Sequence, residues 1–119
     1  MTTVVSPASS PIVVYNRDGT TIDSLTSAGS TQGDAAPIVK YAGWTVVMVT
    51  SAGSGTGVIM PANADVGDLV EIHGDGEINL YPDSGSQIQG AGADNPITCE
   101  YGLFRKTGVS DWYSVGRFA

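Results

Sequence analysis

Residues 68–90 read DLVEIHGDGEINLYPDSGSQIQG. The stretch holds the chain's single histidine, His73, and five of its twelve acidic residues. DLVEIHG (68–74) and EINLYP (77–82) each alternate apolar and polar side chains, the pattern of a strand with one covered face. Gly74-Asp75-Gly76 between them is a short-loop signature, so a β-hairpin is expected here. In its second strand Ile78 and Leu80 face one way, and Glu77, Asn79 and Tyr81 the other. Tyr81 is therefore the leading candidate for a contact outside the monomer.

The same texture continues in both directions. SQIQGA (86–91), PITCEYG (96–102), GLFRK (102–106) and DWYSVGRF (111–118) follow as strands. Upstream, PIVKYAGWTVVMVTSA (37–52) reads as two strands around Ala42-Gly43, and GTGVIMP (55–61) as another. No extended window keeps a helical apolar period. Strands recurring roughly every 8–12 residues between turn signals predict an all-β fold, a small β-sandwich or jelly-roll-like barrel. Valine and threonine outnumber the four leucines, which agrees.

Residues 1–36 are lighter. PIVVYN (11–16) and an Asp-Gly turn suggest a short hairpin over 11–25, and TIDSLTSAGSTQGDAA (21–36) is rich in Ser, Thr and Gly. The expected division is an extended N-terminal arm and linker (1–36) before a β knob domain (37–119). Val4, Val5, Ile12, Val13 and Val14 are the apolar anchors of that arm.

The chain has 119 residues, enough for one compact core, and a net charge of −7. Its five bases are scattered and form no stripe for phosphates, which argues against direct nucleic-acid binding. No apolar run reaches the ~18 residues of a membrane helix, and the start has no signal-peptide pattern. Synthesis in a cytoplasm is expected, with no membrane partner. The lone Cys99 forms no intrachain disulfide and reads as a buried small hydrophobe.

Candidate chemistry is thin. His73 lacks a second histidine for a metal site. Asp75, Glu77 and Asn79 start like a calcium loop, but Leu80 stands where the pattern requires glycine. AGSGTG (52–57) has no phosphate-loop ending, and no serine sits in a nucleophile elbow. The carboxylate pairs Asp65/Asp68 and Asp83/Asp94 lie in turns, where aspartate bonds its own backbone. No enzyme, cofactor or metal is therefore expected. Trp44, Tyr81, Trp112 and Tyr113 are the candidates for a subunit interface or a glycan contact, with the β core as the other reading of Trp44 and Trp112.

One longer block is more distinctive. Met60-Pro61, Val66-Gly67-Asp68, Leu80-Tyr81-Pro82, Asp83-Ser84-Gly85, Ile88-Gln89-Gly90 and Trp112-Tyr113-Ser114-Val115-Gly116 follow one another within residues 58–116. This order of strand ends and turns resembles a β module of small virion proteins of tailed bacteriophages. The resemblance covers about half of the chain. It implies a homotrimeric capsid decoration or cement protein on the outer capsid surface, with the major capsid protein as partner. The alternative it implies is a receptor- or glycan-binding tip of a head or tail fibre.

Overall fold

The computed structural model describes residues 13–15, 21–40 and 42–116. Among the described residues ten strands run in chain order: β1 (Val13–Tyr15), β2 (Thr21–Thr26), β3 (Ala36–Pro37), β4 (Trp44–Thr50), β5 (Gly57–Ile59), β6 (Leu69–Tyr81), β7 (Gln87–Ile88), β8 (Ala91–Gly92), β9 (Ile97–Gly108) and β10 (Asp111–Gly116). There is no helix among the described residues, so the fold is all-β. The strands form one mixed sheet ordered β1-β2-β4-β6-β9-β10-β7-β8, with β3 and β5 in a side ladder joined to β6.

The wiring differs from the expected sandwich or barrel: it is solenoid-like. β2, β4 and β6 pair in parallel, as do β3, β5 and the end of β6. Each coil supplies one strand to each ladder and then steps to the next rung. Thr21 pairs with Thr45, 24 positions on, and Ala36 with Val58, 22 positions on. Even single hydrogen bonds recur: Ile38 N–H donates to the Ile59 carbonyl, and Met60 N–H to that of Tyr81. The repeat is written in the sequence, where TIDSLTSAGS (21–30) matches TVVMVTSAGS (45–54) at six of ten positions.

The expected Gly-Asp-Gly hairpin is instead a corner inside the single strand β6. A two-residue reversal needs left-handed backbone, and neither Gly74 nor Gly76 adopts it. The antiparallel register with β9 stops at His73↔Tyr101 and resumes at Ile78↔Cys99. Residues 74–77 thus face Glu100 alone, a large bulge that bends the strand. Gly74 is needed for close approach: a Cβ there would lie 2.8 Å from the Gly76 carbonyl oxygen and 3.0 Å from that of Glu100. The two strands expected at 96–102 and 102–106 are likewise the one long β9.

The expected boundary at residue 36 does not divide the sheet. Residues 21–37 are the first coil, hydrogen-bonded to β4 and β5. The corners are stitched by side chains: Ser27 Oγ accepts from the Ala52 N–H at 2.9 Å, and Asp75 Oδ1 from the Ser51 N–H at 2.7 Å. Inside the coils, Val47, Val49, Val70, Ile72 and Phe104 pack against Val58, Met60, Ile78, Leu80 and Cys99. β9, β10 and β7 close the end of the stack around Trp112 and Ile88.

Candidate functional site

Alternation along β4 and β6 sends Thr45, Val47, Val49, Val70 and Ile72 inward. It leaves Trp44, Val46, Met48, Leu69, Glu71 and His73 on the outer face. Register with β9 and β10 adds Arg105, Leu103, Tyr101 and Tyr113 to that face. Two rows run across it, Val46–Glu71–Leu103 and Ser24–Met48–His73–Tyr101. Trp44 (42% exposed), Met48 (47%), Tyr101 (40%) and Tyr113 (47%) are large apolar side chains open to solvent.

A polar relay crosses the face. Trp44 Nε1–H donates to Glu71 Oε1 at 3.1 Å, and Glu71 Oε2 meets His73 Nε2 at 2.5 Å. The His73 and Tyr101 rings are tilted against each other with centroids 4.9 Å apart. Glu71 thus fixes both the indole and the imidazole. Beside His73, at the corner of β6, lies an open depression of about 220 Å³ lined by Ser24, Met48, Val49, Thr50, His73, Gly74 and Asp75.

Tyr81, expected to make a contact outside the monomer, is corrected to a core residue, 2% exposed, and Trp112, expected in the core or at a subunit interface, lies in the core, 0% exposed. Tyr81 does leave its strand on the side opposite Leu80. Its ring then lies so close over Gly57 of the neighbouring rung that a Cβ there would touch it at 2.6 Å. Trp112 donates its Nε1–H to the buried Asp83 Oδ1 at 2.9 Å, and Asp83 Oδ2 accepts from Ser86 Oγ at 2.9 Å. The Lys106 ammonium lies 5.2 Å from the centre of the Trp112 ring, within cation–π range. Of the four expected contact residues, Trp44 and Tyr113 share the outer face. Val4, Val5 and Ile12 lie outside the described residues, as do the side chains of Val13 and Val14 in β1.

Of the two carboxylate pairs, one shares a single lysine and the other is split between different partners. Asp65 and Asp68 both hold Lys40, at 2.9 and 2.7 Å, and these contacts raise the lysine's pKa. Asp94 accepts the Gln32 N–H at 2.8 Å, far from the role of Asp83 beside Trp112. Asp34 ties down its own turn through Thr31 and Ser30, which lowers its pKa. Burial pushes the Cys99 thiol up to about 11, the opposite of a reactive cysteine. No group of three or more His, Cys, Asp and Glu among the described residues is placed to hold a metal.

Met48, Glu71 and Tyr101 were not among the sequence candidates. The signal for Met48 was the internal repeat, which sets Ser24 and Met48 at equivalent places. Once the Gly-Asp-Gly corner continues the strand, Glu71 and His73 join the same face. Comparison with family models, curated proteins and solved structures gave no match.

Proposed function

We propose that the chain is a structural virion protein that decorates and stabilises the outside of a bacteriophage capsid as a homotrimer, with the major capsid protein as partner. The observation that carries this reading is the scaffold itself. A single sheet winds through every coil, and its acidic side chains serve turns, corners and ion pairs rather than converging on a reaction centre. Such an arrangement suits binding at many equivalent places better than turnover. The resemblance of residues 58–116 to phage virion modules points the same way. β1 stands at one edge of the sheet and contains Val13 and Val14, two of the arm's apolar anchors. An edge strand is a template for pairing with another chain, which suits anchoring on a capsid.

The test compares the full chain with a variant lacking residues 1–16, by solution mass and by co-sedimentation with particles of the phage that carries the gene. Trimers from both, with capsid binding by the full chain only, are expected. A full-length monomer, or unchanged binding by the truncated chain, refutes the reading. The second reading, a glycan-binding fibre tip, draws support from one observation: Trp44, Tyr101 and Tyr113 are exposed on one face.

A further inference from the structure

We infer that the outer corner between β4 and β6 is a binding site for one ring of a neutral saccharide. The site comprises Met48, Thr50, His73 and Asp75, which line the depression; Tyr101 lies outside it, on the far side of His73 from Met48, and its ring packs against that of His73. This deepens the second reading above and does not require the first.

Size selects the class of occupant. The corner depression, about 220 Å³, falls below the roughly 300–1,000 Å³ of sites for drug-sized ligands. One sugar ring is the occupant of matching scale.

Chemistry narrows the class further. Sugars present C–H faces to aromatic rings and hydroxyls to fixed acceptors. Tyr101 and Met48 provide apolar surface, exposed at 40% and 47%. Asp75, Thr50 and His73 line the depression with hydrogen-bonding groups. These groups are positioned in advance. Asp75 is held by the Ser51 N–H, and the His73 ring is fixed between Glu71 and Tyr101. Glu71 and Asp75, in a chain of net charge −7, disfavour anionic sugars. Trp44 reports on the site through Glu71, whereas Trp112 is buried away from it.

The experiment is a titration of the full chain with galactose, glucose, mannose, N-acetylglucosamine and, as the acidic comparison, sialic acid. Trp44 fluorescence and amide NMR shifts are followed. Saturable binding of at least one neutral sugar is expected, with a millimolar Kd and shifts at residues 48–50, 73–75 and 101. Tyr101→Ala and Asp75→Asn each weaken it at least tenfold, and Asp75→Asn keeps an oxygen for the Ser51 N–H. Val109→Ala, at the exposed turn between β9 and β10 and outside the corner, leaves it unchanged. No neutral sugar bound at 50 mM (about ten times a weak single-ring Kd), binding of sialic acid alone, or binding untouched by both corner variants overturns the site. None of these outcomes bears on capsid co-sedimentation, so the two readings fail separately.

Discussion

Gly57→Ala adds one methyl group where two coils touch. The new Cβ would lie 2.6 Å from the Asn79 carbonyl oxygen and 2.6 Å from Tyr81 Cε2. Comfortable carbon contacts begin near 3.5 Å, so about 1 Å of movement is needed on each side. The Tyr81 ring is 2% exposed and has little room to give. Asn79 is fixed by its N–H to the Thr56 carbonyl and by its place between Gly57 and Thr98 in the ladder. Overpacking costs about 1–3 kcal/mol, and the involvement of backbone places this case at about 2–3 kcal/mol. Gly57 itself is not in the left-handed region, so backbone strain does not add to the contact term. For a chain of 119 residues, about 2.1 cal/mol/K per residue makes 1 kcal/mol worth about 4 °C of Tm. The variant should melt about 8–12 °C below the parent by circular dichroism. Combining it with Tyr81→Leu should recover part of the loss, because the two changes share one contact. A Tm within about 2 °C of the parent, or strict additivity in the double variant, refutes the packing of Tyr81 over Gly57.

The buried Trp112–Asp83–Ser86 chain predicts that Asp83→Ala costs about 2–4 kcal/mol in urea unfolding, since it strands the indole N–H. Asp83→Asn, which keeps an acceptor, should cost less than half of that. Cys99, raised from 9.0 to about 11 by burial, favours the neutral thiol in the folded chain. Its contribution to stability is therefore whole below pH 9 and is lost as pH rises from 9 to 11. Urea midpoints across that window should fall more steeply for the parent than for Cys99→Ala. Lys40, also raised, acts in the same direction above its ordinary 10.5, so Lys40→Met should flatten the most alkaline part of the profile. Native Cys99 should resist a disulfide thiol reagent at pH 8 and react in urea; prompt labelling of the native chain contradicts its burial.

Alternation along single strands made the all-β class and most inward residues legible. The inward sides of both halves of β6 follow from the order of apolar and polar residues, whereas in β4 Thr45 faces in and Trp44 and Met48 face out, and in β9 Lys106 faces in and Tyr101 out. Alternation assigns faces, however, and leaves strand partners open. Gly-Asp-Gly suits both a reversal and a corner, and the difference lies in backbone torsions that composition does not encode. The clue to the corner stood 20 residues upstream. Six identities between 21–30 and 45–54 imply stacked parallel coils, and a parallel stack needs β6 to turn the corner and continue past the end of β4 rather than reverse. Parallel pairing then explains Tyr81. Period 2 turns its side chain away from Leu80, toward what a hairpin would leave as solvent. In the stack that side faces Gly57, whose missing side chain leaves room for the ring. Trp112 was obscure for a related reason: its burial depends on Asp83, 29 positions away, accepting its N–H. The outer face carries the same lesson in reverse. Trp44 and Met48 on β4, His73 on β6 and Tyr101 on β9 are far apart along the chain, and they become neighbours only once two coils and one antiparallel strand are laid side by side. A saccharide site at this corner would thus depend on strand register: a change that slips β9 against β6 by one residue should turn Tyr101 to the inner face, away from His73, while the side chains that line the depression on β4 and β6 keep their places.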